Sequence, residues 1–445
     1  MVLMSGNSNL HYRRKRMRAS CLSASDIISD LPGNIIDNIL TCLPIRDAVR
    51  TSILSRKWRF KWRDLSQLVF DYNFRKRSAG RASLSKSEIA FRIYQVLLLH
   101  RGSINKFDLS IPELDSCHQI NHVINFLTAK NVQDFTLCVS DHDYYELPST
   151  LFSCMHLRHL NLYSCMFKPP HAFQGLSNLI SLELDDVYII DANAFNNFIS
   201  KCPQLQQLKL DNAADIGHLE IDAPNLKFFC FSGTFKPISF KNAPLLATVS
   251  IQCVDNGNVK YRKWKRRGNS NAVEVLGCLP AIKKLFVSCS FLKYLSVGNI
   301  PLRLPTTLNR LKSLELPEIY FNSIDDVRFA LCLIKSSPNL KKLKIELFQS
   351  VDDNIDPILQ LLEAQFCRGD YTFNRLRELR MECFRGAITE LKFLELLLAK
   401  SLTLENIYIK PPFGTEPRKS LKILKEVTQL ERASPRAKIM YVEFW

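Results

Sequence analysis

Leu157-Arg158-His159-Leu160-Asn161-Leu162-Tyr163-Ser164-Cys165 has apolar side chains at its first, fourth and sixth positions, with polar or charged residues between them. The last two leucines are two apart, the period of a strand that hides one face. The same apolar-x-x-apolar-x-apolar grammar recurs along the chain at intervals of 20–36 residues. Upstream it reads Ile104-Phe107-Leu109 and Val132-Phe135-Leu137. Downstream it reads Leu179-Leu182-Leu184, Leu205-Leu208-Leu210, Leu226-Phe229-Phe231, Leu246-Val249-Ile251 and Ile282-Leu285-Val287. Leu311-Leu314-Leu316, Leu340-Leu343-Ile345, Leu376-Leu379-Met381 and Leu404-Ile407-Ile409 bring the matches to twelve.

Several matches follow a helical stretch closed by proline: Phe195–Lys201 before Cys202-Pro203, and Val327–Lys335 before Ser336-Ser337-Pro338-Asn339. A strand with its helix cannot bury its own apolar face, whereas a stack of such units can. The expected fold class is therefore an α/β repeat, an irregular leucine-rich solenoid with a strand plus a helix in each repeat. It is degenerate: spacing varies, and most repeats lack the usual Asn or Cys three residues after the strand, Cys165 being an exception. Residues between the strand leucines are expected on the inner curve, facing solvent. Tyr163, Glu183, Asp185, Lys209, Phe286, Lys344 and Arg380 are the candidate substrate contacts on that surface, with the two aromatics as anchors. Binding by rim loops is the alternative.

Before the array, residues 25–72 read as a small helical unit. Asp30 is a candidate N-cap with Pro32 in the first turn, and Ile35, Ile36, Ile39, Leu40 and Leu43 share one helical face. Pro44 ends that helix and opens a second, on which Ile45, Ala48, Val49, Ser52 and Ile53 fall together. Trp58 and Trp62, four apart, are placed on one side of a third short helix. So short a unit has more apolar surface than it can bury in itself, and a docked partner would cover the excess.

The 14 glycines form no phosphate-cradling pattern, and the 14 cysteines contain no C-x-x-C pair. No cofactor is expected. No stretch is apolar and long enough to span a bilayer or to serve as a secretory leader. Reduced thiols in nucleus and/or cytoplasm are the expectation. Much of the net charge of +17 sits in two runs, Arg13–Arg16 with Arg18, and Lys260–Arg267. Flexible, nuclear-import or solubilising segments explain them better than nucleic-acid binding does, although Trp264 among cations could stack on a base. His118 and His122 are four apart, but Gln119 stands where a metalloprotease needs Glu and no third ligand is evident, so metal binding is not expected.

Leu31-Pro32-x-x-Ile35-Ile36-x-x-Ile39-Leu40-x-x-Leu43-Pro44-Ile45-Arg46-Asp47-Ala48-Val49-Arg50, continuing through Leu54-Ser55-Arg56-Lys57-Trp58-Arg59, Trp62 and Leu68-Val69-Phe70-Asp71, resembles the plant F-box motif. Asn374–Leu379, Leu391–Leu398, Leu404–Ile409 and the stretch from Leu424 to Ser434 are similar to the FBD domain. Two departures are Gly33-Asn34, where an acidic pair is common, and Ser401-Leu402-Thr403, where Ser-Pro is frequent. With the repeats between them, the chain resembles the F-box/FBD/LRR-repeat proteins of plants.

The resemblance implies a non-catalytic role: the substrate-recognition subunit of an SCF-type ubiquitin ligase. A Skp1-like adaptor would bind the F-box and, through it, a cullin and a RING protein. The protein substrate would bind the repeats. By motif position, adaptor contact falls to Leu31, Pro32, Ile35, Ile36, Ile39, Leu40, Leu43, Pro44, Val49, Leu54, Trp58 and Trp62, some of which must instead hold the helices together. A leucine-rich scaffold that does not deliver its partner for degradation is the alternative. The expected organisation is a basic disordered leader (1–24), the F-box (25–72), a helical connector (73–103), leucine-rich repeats (104–370) and an FBD-like end to the solenoid (371–445).

Overall fold

The computed structural model describes residues 27–75, 84–114, 118–140, 143–212, 218–234, 238–254, 275–276, 279–288, 291, 302–304, 306–348, 355–367 and 372–442. The expected leader and both basic runs lie outside the described residues.

The twelve apolar triads become strands, and two further strands flank them. Among the described residues, fourteen strands form one sheet, each parallel to the next in chain order. They are β1 (Gln67–Phe70), β2 (Lys106–Ser110), β3 (Asp134–Cys138), β4 (His159–Tyr163), β5 (Ser181–Asp185), β6 (Gln207–Asp211) and β7 (Phe228–Thr234). Next come β8 (Thr248–Val254), β9 (Lys284–Val287), β10 (Ser313–Tyr320), β11 (Lys342–Phe348), β12 (Glu378–Glu382), β13 (Asn406–Lys410) and β14 (Lys438–Tyr441). The register sets equivalent triad positions side by side, as in Leu160–Leu182–Leu208–Phe229. All four of these side chains are buried, each worth roughly 1.5–3 kcal/mol.

The prolines do more than close helices. Pro203, Pro224, Pro244, Pro280 and Pro338 each occupy the second position of a turn. In each turn the N–H of the triad's first residue (Leu205, Leu226, Leu246, Ile282 or Leu340) donates to the carbonyl three residues back. Proline presets the φ that this position requires. A side-chain amide often locks the turn to its neighbour: Asn178 donates to Met155 O, Asn225 to Pro203 O and Asn339 to Asn309 O. This Asn precedes the triad, so the repeat's usual polar ladder has moved rather than vanished. At the far end of the strands, Ser164, Asp186 and Asn212 take left-handed backbone immediately after β4, β5 and β6. That conformation turns the chain out onto the rim.

The layer opposite the strands holds α4 (Lys86–Leu99), α5 (Gln119–Thr128), α6 (Ala192–Ser200), α7 (Ile324–Lys335), α8 (Asp356–Cys367), α9 (Ile388–Lys400) and α10 (Pro417–Gln429). Ser85 and Glu88 form a capping box at the start of α4. The sheet runs without a break past the boundaries expected at 72, 103 and 370. Phe70, Phe107 and Phe135 lie in succession across β1–β3, with ring centroids 5.6 and 5.9 Å apart, so the F-box end shares one core with the array. At the other end, Ser434 Oγ donates to Leu404 O at 2.6 Å and closes the last repeat.

The N-terminal unit departs from its sequence reading in three places. Asp30 ends a short α1 (Ile27–Asp30) instead of capping α2 (Gly33–Thr41). Pro32 holds the N-cap position, its extended backbone turning the chain between the two helices. The second helix, α3 (Ile45–Arg50), passes into a 3-10 turn at Thr51–Ile53. Three residues per turn in place of 3.6 shifts the phase, and Ile53, expected inside, is 89% exposed. Finally, Trp58 and Trp62 stand on turns and a 3-10 segment (Lys61–Asp64), not on an α-helix. Both are nevertheless buried, and Trp58 Nε1 donates to Ile28 O at 3.0 Å, tying α1 down.

Candidate functional site

The F-box helices divide their apolar residues between two sides. Ile36, Leu40, Trp58 and Trp62 are buried within the chain, so these four of the expected adaptor contacts serve the unit's own core. Leu31, Leu43 and Val49 are half-buried and pack against that core, and Pro44 is also half-buried. Pro32, Ile35, Ile39 and Leu54 face outward. Ile35 and Ile39, 39% and 38% exposed, are one turn apart and share the outer side of α2.

Sequence reasoning missed the rest of this apolar exposure. Ile27, Ile28, Ile53 and Phe60 bring the large exposed apolar side chains between residues 27 and 60 to seven. Residues 61–103 add five (Tyr72, Phe91, Tyr94, Leu98 and Leu99) and residues 104–442 eleven among those described, so the density in the F-box segment is several times that of the repeats. Polar contacts brace the segment from behind: Lys61 Nζ lies 3.0 Å from the Asp37 carboxylate, and Arg46 donates to Asn73 O at 2.7 Å.

The candidate substrate residues lie on the strand face, as the alternation requires. Glu183, Lys209, Phe286, Lys344 and Arg380 share one register row, while Tyr163 and Asp185 sit in the next. They are spread along the array. Lys209 and Lys344 are five strands apart, roughly 24 Å at ~4.8 Å per strand.

The two ends of that row differ electrostatically. Around β11–β13 the charges are matched: Lys342 pairs with Glu378 at 2.8 Å, Lys344 with Glu382 at 3.2 Å, and Arg380 with Glu378 at 2.7 Å. Arg380 also lies over the Tyr408 ring at 4.4 Å. The hydrogen bond from Lys342, then Arg380, holds the Glu378 carboxyl below its ordinary range. Around β4–β6 carboxylates are in excess. Lys209 pairs with Glu183 and approaches Asp211 at 3.9 Å, and its hydrogen bond to Glu183 raises its pKa. Burial, then repulsion from Asp211, raises Asp185. Burial, then Glu183, raises the Tyr163 phenol.

His118 and His122 are both exposed at the start of α5. No cluster of three or more His, Cys, Asp or Glu suited to a metal occurs among the described residues, and no described helix is long and apolar enough to cross a membrane.

Comparison with known proteins places these surfaces in context. The F-box domain profile matches residues 28–70. A profile described as "FBD-associated F-box protein At5g56370, LRR repeats" matches residues 120–345. The F-box/FBD/LRR-repeat protein At1g13570 of Arabidopsis thaliana is 35% identical over 423 residues, covering 94% of this chain and 99% of its own. F-box/FBD/LRR-repeat protein At2g04230 of the same plant is 30% identical over 211 residues, 45% of this chain and 46% of its own. FBD-associated F-box protein At5g56370, also from Arabidopsis thaliana, is 24% identical over 453 residues, 94% and 100% of the two chains.

Proposed function

Because this chain belongs to the F-box/FBD/LRR-repeat proteins, we propose that it is the substrate-recognition subunit of an SCF-type ubiquitin ligase. Pro32, Ile35, Ile39 and Leu54 are the adaptor anchors in this reading, with Ile53 and Phe60 beside them in sequence. A Skp1-type adaptor covers the anchors and carries the cullin and RING protein. The repeats hold a protein substrate, and the chain contributes position rather than chemistry. Its place of work is nucleus and/or cytoplasm.

The observation that carries the reading is the concentration of outward apolar side chains between residues 27 and 60. Exposed apolar area of that density marks a protein interface. Burying one such anchor is worth roughly 1.5–3 kcal/mol, so a few of them suffice for a stable complex. The alternative, a scaffold that keeps its partner intact, shares the adaptor but not the outcome. Reconstituted ubiquitination of a captured partner separates the two. Modification that disappears with Ile35→Lys/Ile39→Lys supports the ligase subunit, whereas a captured partner left unmodified by the complete assembly supports the scaffold.

A further inference from the structure

On the rim where the chain leaves the strands, repeats around β3–β5 enclose a cleft of about 800 Å³. Tyr144, Tyr145, Phe167, Pro169, Pro170 and Ile190 supply its apolar and aromatic lining. Three short parallel strands, Tyr145–Glu146, Cys165–Phe167 and Tyr188–Ile189, build it, and the N-terminal ends of α5 and α6 flank it. The floor is rigid: Phe167 is buried and meets Phe195 and Phe198 edge-on at 5.6 and 5.1 Å. Tyr145 is fixed by a hydrogen bond from its hydroxyl to Asn121. Aromatic and proline walls on a fixed floor make a preformed seat for a bulky apolar group.

The charge around the cleft identifies the occupant. Tyr144 stacks on Tyr188 at 5.6 Å, and its hydroxyl lies 3.5 Å from Asp186. Asp185 is the next residue back and neighbours Asp211 in register. Within a chain of net charge +17, residues 143–211 carry seven carboxylates against four Lys and Arg. Of those cations, Lys201 donates to Phe173 O, Arg158 lies at the opposite ends of the strands, and Lys209 is engaged by Glu183. Lys168 shares the lining with Glu146 and Asp191. A polyanion would be repelled here. A neutral small molecule would fill the seat without using the net negative charge around it. A cation beside an apolar side chain answers both.

We infer that this rim cleft grips the substrate by seating a bulky apolar side chain of a protein segment whose neighbouring residues are lysine or arginine. This rests on the reading of the repeat array as the substrate-binding part. The test uses the full chain bound to its adaptor and three fluorescent peptides. One has a tryptophan between lysines, one the same tryptophan between glutamates, and one an alanine between lysines. The lysine-flanked tryptophan peptide is expected to bind best, and each change to the peptide to weaken binding by roughly tenfold or more. Asp185→Asn/Asp186→Asn, and separately Tyr144→Ala, should each cost the first peptide about tenfold while adaptor capture is unchanged. Asn tolerates the left-handed backbone of position 186, so the turn survives. Equal binding of all three peptides, no binding, or binding indifferent to these variants overturns the inference. If that happens while the assembly still ubiquitinates a captured partner, the cleft assignment alone fails. Peptide binding as expected, with no ubiquitin transfer to any captured partner, retains the cleft and removes the ligase reading.

Discussion

The F-box segment and the repeat array face the same shortage, too little core in each unit, and resolve it in opposite ways. Each repeat lays its triad against the next, so that Leu182, Leu208 and Phe229 are fully buried by their neighbours in the stack. The F-box segment buries one side of its helices, through Ile36, Leu40, Trp58 and Trp62, and leaves Ile35, Ile39, Ile53 and Leu54 outside. A stack can supply its own neighbours; a terminal unit cannot, and its open side is available for a different protein. Identical residue types therefore do different work on the two sides of a single helix.

Five substitutions probe how sharply the two regions differ. Phe107→Ala attacks the place where they join, because Phe107 lies between Phe70 of the F-box end and Phe135 of the array. A loss of about 3–5 kcal/mol in denaturant-induced unfolding is expected. If the F-box end melted separately with the array unaffected, the shared core would be refuted. Next, the adjacent residues Ile36 and Ile35 should behave as opposites. Ile36→Ala should cost about 2–5 kcal/mol of stability, and Ile35→Ala under about 0.5 kcal/mol. Equal costs in the unfolding curves would erase the division into inner and outer sides.

His100 tests the junction through pH. It is buried, and its ring nitrogen Nε2 bonds to Leu65 O at 2.7 Å. Burial lowers its pKa below the ordinary value, against the pull of the Leu65 carbonyl and Asp64, and Lys130 also lowers it. The folded state therefore favours the neutral ring. Its contribution is present above the unfolded pKa of about 6.5 and fades as pH falls through the folded value. Unfolding midpoints of the wild type should drop on mild acidification, and those of His100→Gln should drop less. Identical pH profiles would contradict this role. The smallest effect is expected at Ser401, fully buried at the end of α9, whose hydroxyl finds no hydrogen-bond partner among the described residues. Ser401→Ala should leave stability within about 0.5 kcal/mol of wild type or raise it, and a clear loss by calorimetry would show a hidden partner.

Strands were the most legible part of this sequence, because a buried triad with period two leaves few alternatives. Even there, Leu65-Leu68-Phe70 satisfies the same template but directly follows the F-box helices, whose motif also spans Leu68 and Phe70. The last strand escaped for a different reason: Arg436 stands where the other repeats place the triad's first apolar residue. In the F-box, periodicity found the helices but could not divide their apolar residues. A face that meets a partner and a face that meets its own chain obey the same 3.6-residue rule. Ile53 went astray because one 3-10 turn moved it out of phase. The rim cleft had no sequence signal, since its walls come from segments around 118–121, 144–149, 167–171 and 190–194 that only the stacking brings together.

The division of the F-box into an inner and an outer side is tested most directly by calorimetric titration of a Skp1-type adaptor into the wild-type chain and into Ile35→Lys/Ile39→Lys/Leu54→Lys. The expected result is a loss of about a hundredfold or more in affinity, with an unchanged unfolding midpoint. Unaltered adaptor affinity in a folded triple variant would contradict the assignment of this surface.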